Sequence, residues 1–197
     1  MPADAVTIFC LKNPEQYAHL IDRLDETEKA RAARLRNGAE LFVGAHVLLR
    51  YAIGARPIRW RDGEKPLVAD ASLHFSLSHC RGMALCAVSR AGAVGVDVEV
   101  FDPALAERSV AEQVFCREEL DWVGDSAERF FRMWTVKEAI FKSAGEKWSE
   151  AWRRRSALPD LLSGDRVEQR RMGETHVAAV AAYGRFDWRY LQENDLI

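Results

Sequence analysis

Apolar and polar positions follow two different periods along this chain of 197 residues. Apolar residues recur every three to four positions over residues 39–53 and 126–144, the spacing of helices that are buried along one side. A charged stretch at residues 26–36 predicts another helix, with Thr27 as the candidate cap and Asn37-Gly38 as its end.

Seven short segments predict strands, and the pattern is weaker in the last three. These segments are residues 6–11, 73–78, 83–89, 94–100, 166–170, 176–182 and 186–191. A short helix is predicted around residues 118–123, whereas residues 152–162 are first basic and then loop-like. The order of helices, strands, helix and strands is typical of an α+β fold, and Pro103 suggests a division near residue 102.

Composition and charge narrow the class of protein. Hydrophobic residues make up 48%, charged residues 29%, and the net charge is −2, so neither disorder nor general attraction to nucleic acid or membranes is indicated. The apolar stretches fall short of the roughly 20 residues of a membrane span, and residues 1–11 do not resemble a signal peptide. We therefore expect a cytoplasmic protein whose cysteines, lacking zinc-ligand spacing, are reduced and mostly buried.

The strand predicted at residues 94–100 gives the clearest sign of chemistry. Valines alternate in V-G-V-D-V-E-V, so they share one face and Gly95, Asp97 and Glu99 share the other. The two carboxylates then lie about 7 Å apart, with open space expected at Gly95. A magnesium ion bound through oxygen ligands would relieve their repulsion. The alternative is a half-exposed strand carrying two solvated acids.

A second candidate lies on the helix predicted over residues 126–144. Trp134, Glu138 and Lys142 are spaced by four and fall nearly on one line of the helix, which Phe130 extends. A surface ion pair between Glu138 and Lys142 is the alternative. The aromatic neighbours instead indicate the edge of a core, where a carboxylate and an ammonium group suggest a site.

The third element is Phe75-Ser76-Leu77-Ser78-His79 at the end of a strand. Ser78 and His79 could bind a phosphate, although a histidine at a strand end is often structural. The serines lack the G-x-S-x-G elbow of many hydrolases, and Gly63-Glu64-Lys65-Pro66 lacks the glycine spacing of a Walker loop.

Taken together and in order, these segments resemble the Sfp-type 4′-phosphopantetheinyl transferases. The family pattern is a G-x-K-P-like turn, F-x-x-S-H, a strand ending in G-[IV]-D-[IV]-E, and W-x-x-K-E-x-x-x-K. The matching segments here are Gly63 to Pro66, Phe75 to His79, Gly95 to Glu99 and Trp134 to Lys142. The resemblance runs from about residue 28 to residue 145, and four motifs in order are far more specific than any one of them.

The resemblance implies a role for each matching residue. The expected magnesium ligands are Asp97, Glu99 and Glu138. The expected contacts to coenzyme A are Arg31, Lys65, Ser78, His79 and Lys142, with Lys142 at the diphosphate and Lys65, Ser78 and His79 at the 3′-phosphate. Glu119 matches an acidic position of less certain role. The implied fold is α+β, with two similar halves, residues 1–102 and 103–197, around a pseudo-twofold axis and the site at their junction.

The activity implied is transfer of 4′-phosphopantetheine from coenzyme A to a serine of an apo acyl- or peptidyl-carrier protein, with release of 3′,5′-ADP. Magnesium and Lys142 would stabilise the charge that grows on the leaving diphosphate. Positioning and charge neutralisation dominate such reactions, so a covalent protein nucleophile is not required. Glu138 is the candidate base for the serine proton. A monomer without nucleic acid or membrane partners is expected.

Two departures from the family pattern affect the expected site. A G-x-G-L stretch often follows the last lysine, but this chain has Gly145-Glu146-Lys147-Trp148, which changes the loop expected to face pantetheine or the carrier. An arginine often found early in the second helix is replaced by Leu41-Phe42, which removes one phosphate contact. Neither departure changes the three acids or Lys142.

Other functions are compatible with the same residues. A non-catalytic homologue would bind coenzyme A or a carrier without turnover, and a metal-dependent phosphohydrolase would release phosphopantetheine or phosphate without an acceptor. A purely structural α+β protein would bind neither magnesium nor coenzyme A. Product analysis with and without carrier proteins separates the enzymatic hypotheses.

Overall fold

A computed structural model of the chain describes residues 5–61, 63–106, 108–145 and 149–196. The strands are β1 (Ala5–Lys12), β2 (Ile58–Arg59), β3 (Leu67–Val68), β4 (His74–Cys80), β5 (Met83–Ser89), β6 (Val94–Val100), β7 (Val167–Met172), β8 (His176–Ala182) and β9 (Arg185–Tyr190). The α-helices are α1 (Glu26–Ala33), α2 (Ala39–Ile53), α3 (Arg108–Val114), α4 (Arg117–Val123), α5 (Ala127–Ala144), α6 (Glu150–Arg154), α7 (Leu158–Ser163) and α8 (Glu193–Leu196), and 3-10 helices lie at Pro14–Arg23 and Pro103–Leu105.

Two sheets pack against each other through apolar faces. The first has the strand order β4-β5-β1-β9, in which β9 runs parallel to β1 and the other neighbours are antiparallel. The second is antiparallel and has the order β6-β8-β7. Side chains such as Ile8, Leu85, Val96 and Val180 form the apolar cluster between them. Because β9 joins β1, the end of the chain completes the sheet with which the chain begins.

A long helix covers the outer face of each sheet. The helix α2 buries Leu48 in one cluster with Phe75 of the first sheet, and α5 buries Val136 in another with Ala179 of the second. Both faces of β5 and β8 are therefore covered, which is why all residues of these strands are buried and their sequences are almost continuously apolar. The layers are helix, sheet, sheet and helix, so the mixed α+β class expected from the sequence is confirmed.

The helix ends follow local hydrogen-bonding chemistry. The candidate cap Thr27 is wrong, because Asp25 accepts from the Glu28 amide at 2.8 Å while the Glu28 carboxylate accepts from the Asp25 amide at 2.9 Å. The helix α1 ends at Ala33 rather than at the predicted residue 36. The end of α5 is Gly145 at φ 68, a left-handed conformation that glycine adopts without strain.

The prediction for residues 152–162 is wrong, because this stretch contains α6 and α7 rather than a loop. Pro159 lies in the first turn of α7, where its missing amide hydrogen costs no helical bond. Trp152 of α6 is only 3% exposed, so the segment is packed against the core. The helix α3 and the short strands β2 and β3 were also absent from the sequence prediction.

Within the described residues, the helices are too short or too polar to cross a membrane. Cys10 and Cys86 are buried and Cys80 and Cys116 are half-buried, and all are free thiols, as expected. Burial is the main reason why the pKa of Cys10 and that of Cys80 are each raised to about 12. These two thiols are therefore protonated and unreactive at neutral pH.

Candidate active site

The acidic face of β6 is turned toward α5. Val94, Val96 and Val98 lie in the core between the sheets, which confirms the alternation predicted from the sequence. Asp97 and Glu99 point the other way and contact side chains of α5. Asp97 is only 2% exposed and Glu99 is half-buried, so this face is not a solvated surface.

The open space expected at Gly95 is wrong. A Cβ atom placed on Gly95 would lie 1.9 Å from the Ala139 carbonyl oxygen and 2.5 Å from the Ser143 amide nitrogen. The backbone of α5 therefore fills the volume that the missing side chain leaves. Glycine at this position allows the helix to lie directly on the strand, which brings the acids of β6 within reach of α5.

Asp97 is the centre of a small hydrogen-bonded group. Its Oδ1 accepts from Lys142 Nζ at 2.6 Å and from Ser78 Oγ at 2.9 Å, and Lys142 Nζ also lies 3.1 Å from Ser78 Oγ. Its Oδ2 is buried and receives no hydrogen bond from the part of the chain that the structure describes. A buried carboxylate oxygen without a partner is costly, so it is the atom at which a cation or a donor would be gained.

Glu99 is oriented by Trp134. The indole N–H of Trp134 donates to Glu99 Oε1 at 3.2 Å, and the indole ring is stacked on Phe130 with the two planes only 9° apart. Burial and the negative charge of Asp97 raise the pKa of Glu99, while the indole hydrogen bond and Lys142 oppose this rise. The tryptophan of the motif thus holds one of the predicted ligands.

Glu138 lies in the same electrostatic environment. Burial, followed by the negative charge of Asp97, raises its pKa to about 7, with Lys142 lowering it and Glu99 raising it further. The three acids predicted as metal ligands therefore interact, and burial together with their repulsion favours the protonated form of Glu138. A carboxyl group titrating near neutrality is suited to proton transfer.

The acids do not form a preassembled metal-binding cage. Among residues 5–61, 63–106, 108–145 and 149–196, no three His, Cys, Asp or Glu side chains are arranged so that they could hold a metal ion. Lys142 donates a hydrogen bond to Asp97, and Trp134 donates one to Glu99. These bonds use one carboxylate oxygen of each acid that a metal ion would otherwise bind.

A cavity of about 510 Å³ opens beside this group. Lys65 and Lys142 lie in its wall together with the apolar side chains of Phe75, Leu77 and Phe141. Lys65 Nζ donates to the Val94 carbonyl oxygen at 2.6 Å, and burial followed by the charge of Lys142 lowers its pKa to about 8. A larger cavity of about 600 Å³, between α4 and α6, contains none of the predicted site residues.

Arg31 and His79 lie in a second group around His46. The Arg31 guanidinium stacks 4.6 Å from the centre of the Trp60 ring, and Trp60 in turn is stacked on His46. His79 follows Ser78 on the strand and therefore points to the opposite face, where it is exposed. The partial loss of hydration and the charges of His46 and Lys142 lower its pKa. The structure thus separates Ser78, which is buried on Asp97, from His79.

Sequence reasoning missed one buried ion pair next to the site. Glu119, whose role was uncertain, lies 2.5 Å from Lys137, the lysine directly before Glu138. The side chain of Glu119 is fully buried and that of Lys137 is 3% exposed. The only sequence signal was a charge on each of two otherwise apolar helix faces, which did not indicate that the two charges meet.

The two departures from the family pattern have different outcomes. Residues 146–148, where the glycine and leucine of the usual loop are replaced, lie outside the described residues. Phe42, which takes the place of an arginine, is stacked on the ring of His46 with centroids 3.9 Å apart. Phe42 therefore makes an aromatic contact and cannot supply the positive charge with which an arginine would bind phosphate.

The comparison with protein families covers the segment that contains β6 and α5. The model of the 4′-phosphopantetheinyl transferase superfamily matches residues 93–185, which include β6, α5 and the three acids. A curated relative, the 4′-phosphopantetheinyl transferase AcpT of Salmonella typhi, is 33% identical over 129 residues, which are 62% of this chain and 67% of AcpT. The chain belongs to the 4′-phosphopantetheinyl transferase superfamily.

Two further relatives carry the same name and align over shorter stretches. The 4′-phosphopantetheinyl transferase HetI of Nostoc sp. is 34% identical over 91 residues, or 42% of this chain and 38% of HetI. The 4′-phosphopantetheinyl transferase psf-1 of Bacillus pumilus is 38% identical over 88 residues, or 42% of this chain and 36% of psf-1. The chain thus spans well under half the length of these two relatives.

Proposed function

We propose that this protein transfers the 4′-phosphopantetheine group of coenzyme A to a serine of an apo acyl- or peptidyl-carrier protein and releases 3′,5′-ADP. The observation that carries the proposal is the buried carboxylate of Asp97 bound to Lys142, with Glu138 in electrostatic contact, at the edge of a cavity with lysines in its wall. This group lies within the segment that matches the superfamily.

The cavity suits coenzyme A because it combines cations with apolar surface. Lys142 and Lys65 would face phosphate oxygens, whose negative charge would also favour the charged form of Lys65. Phe75, Leu77 and Phe141 offer apolar area to the uncharged parts of the molecule. Arg31, Ser78 and His79 are retained as proposed contacts to coenzyme A, although Ser78 acts through Asp97 and Lys142 in this arrangement.

Magnesium is the proposed metal, and Asp97, Glu99 and Glu138 are its proposed ligands. Their chemistry fits, because the donors are oxygens, Asp97 Oδ2 is buried without a hydrogen bond from the described residues, and burial followed by the negative charge of Asp97 raises the pKa of Glu138 to about 7. When bound, the ion would neutralise charge on the diphosphate of coenzyme A.

Two side chains of the protein are assigned to the reaction, one to accept the serine proton and one to stabilise the leaving 3′,5′-ADP. The serine hydroxyl of the carrier forms a new bond to the phosphorus that bears pantetheine, while the bond from this phosphorus to the bridging oxygen breaks and 3′,5′-ADP leaves. Glu138 is the proposed base that accepts the serine proton. The Lys142 ammonium stabilises the negative charge that develops on the leaving diphosphate oxygens.

The proposed architecture is two similar halves, residues 1–102 and 103–197, related by a pseudo-twofold axis. Connectivity supports the two-fold relation, since β1, α2, β4 and β5 are followed by β6, α5, β7 and β8, and the strands of each set form a sheet in which the first strand pairs with the last. This repeat groups β6 with the second set, ahead of the division at residue 102. The site lies where β6 and α5 meet β4. A cytoplasmic monomer without nucleic acid or membrane partners completes the proposal.

Incubation with coenzyme A, Mg²⁺ and a panel of apo carrier proteins tests the function. A mass gain of one phosphopantetheine on a carrier, with release of 3′,5′-ADP, is the expected result. Binding of coenzyme A without any mass gain would favour the non-catalytic homologue. Phosphopantetheine or phosphate released without a carrier would favour the phosphohydrolase.

A further inference from the structure

The buried ion pair between Glu119 and Lys137 holds α5 from the side that faces α4 and α6. Lys137 Nζ lies 2.5 Å from Glu119 Oε2 and donates to the Arg153 carbonyl oxygen at 3.0 Å. Glu119 also accepts from the Cys116 amide at 2.8 Å and from the Ala157 amide at 2.7 Å. Both carboxylate oxygens are therefore used, and three segments of the chain meet at this pair.

The position of Lys137 on the helix links this pair to the active site. Successive residues of an α-helix are about 100° apart around the axis, so Lys137 and Ala139 flank Glu138 on its two sides. The backbone of Ala139 is pressed against Gly95 of β6, while Lys137 is bound to Glu119. The carboxyl group of Glu138 thus projects from a helix whose flanks are fixed by two different parts of the protein.

The charges of Lys137 and Glu119 fix the position of α5 more tightly than an apolar contact would. An apolar side chain at position 137 could slide within its cavity at little cost, but a buried ammonium must keep its acceptors. Rotation or translation of α5 would separate Lys137 from Glu119 and leave both charges buried and unpaired. The same movement would carry Lys142, one turn beyond Glu138, away from Asp97.

We propose that Glu119 and Lys137 are positioning residues of the active site, which set the rotation of α5 so that Glu138 and Lys142 face Asp97. The proposal rests on the proposed transferase function. Neither residue would touch the substrates in this role. Their loss should therefore slow the reaction more than it weakens the binding of coenzyme A, because Lys142 is displaced from the cavity wall while Lys65 keeps its place there.

The test compares Lys137→Met, Glu119→Gln and Lys137→Arg with the wild-type chain. All are assayed with a carrier that the wild type modifies, at a temperature at which melting curves show each variant folded. We expect kcat to fall at least tenfold in Lys137→Met and Glu119→Gln, with a smaller loss of affinity for coenzyme A. Lys137→Arg, which keeps a cation, should recover part of the loss. Arg117→Met, which removes an exposed pair with Asp121 on α4, is the matched control and should leave kcat unchanged.

The outcomes separate the proposal from the function on which it rests. A wild-type chain that modifies no carrier contradicts the function, whereas an active wild type with wild-type kcat in the folded variants overturns the positioning role. Glu119→Gln is isosteric and supplies the measurement if Lys137→Met does not fold. Crystal structures give a readout independent of turnover, because the contact of 2.6 Å between Lys142 and Asp97 should be lost in the variants. An unchanged contact would overturn the proposal.

Discussion

Lys142 Nζ lies 2.6 Å from Asp97 Oδ1, although 45 residues separate the two in the sequence. The contact joins the last turn of α5 to the middle of β6, and Ser78 of β4 hydrogen-bonds to both side chains. One buried carboxylate therefore connects an edge strand of each sheet with the helix that covers the second sheet. The reactive groups of the proposed enzyme depend on how these three elements pack.

Asp97→Asn should lower the rate of phosphopantetheine transfer about 10²- to 10³-fold, the range typical of a removed electrostatic contact in an active site. The amide can still accept from Ser78, so the fold should remain, but the charge that faces Lys142 and the proposed cation is lost. The rate is measured by mass spectrometry of the carrier. Asp187→Asn, at an exposed pair with Arg189 on β9, is the control and should keep full activity. Wild-type turnover by Asp97→Asn would contradict the assignment.

Glu138→Gln should stabilise the metal-free protein above pH 7 and have little effect near pH 5. The folded pKa of about 7 lies above the ordinary value of 4.5, so the stability contributed by protonated Glu138 is present below pH 4.5 and lost as the pH rises through 7. The neutral amide avoids this loss, so the free energy of unfolding of the Glu138→Gln variant should exceed that of the wild type by about 1–3 kcal/mol at pH 8. Denaturant unfolding of both proteins at pH 5 and pH 8, with a chelator present, measures this difference in stability. Equal effects at both pH values would show that the pKa of Glu138 is not raised.

Much of the site could be predicted from local patterns. The alternation in residues 94–100 correctly placed the valines of β6 in the core and the acids on the other face, because strand geometry repeats every two residues. The spacing of Trp134, Glu138 and Lys142 correctly indicated one line on a helix. Both patterns depend only on the geometry of a single element, which the sequence determines directly.

Contacts between elements could not be predicted in the same way. No local pattern indicates that Lys137 meets Glu119, since the two lie on different helices and a single charge on an apolar helix face does not indicate its partner. The open space expected at Gly95 was wrong for the same reason, because the sequence of β6 does not show which backbone lies above it. Such contacts follow from tertiary packing, which local sequence patterns do not determine.

Gly95→Ala should destabilise the protein by at least about 2 kcal/mol, because the added methyl group overlaps the backbone of α5. Relief of the clash requires α5 to move from β6, which would also lengthen the contact between Lys142 and Asp97. Gly92→Ala provides a matched control, since no heavy atom lies within 4 Å of a Cβ there. Thermal and denaturant unfolding of both variants measure the difference. Equal stability of the two variants would contradict the close packing of α5 on β6.

Trp134→Phe tests whether the indole N–H, rather than the aromatic ring, supports Glu99. Phenylalanine keeps the stack on Phe130 but removes the hydrogen bond of 3.2 Å, so the charged form of Glu99 loses a donor. We expect three- to tenfold weaker binding of Mg²⁺ or Mn²⁺, as follows from about 1 kcal/mol for one such bond. Titration calorimetry measures the affinity. Trp188→Phe removes an equivalent bond, from Trp188 of β9 to Glu168 of β7, and should leave metal binding unchanged. Equal metal affinity in both variants would show that Trp134 acts only through packing.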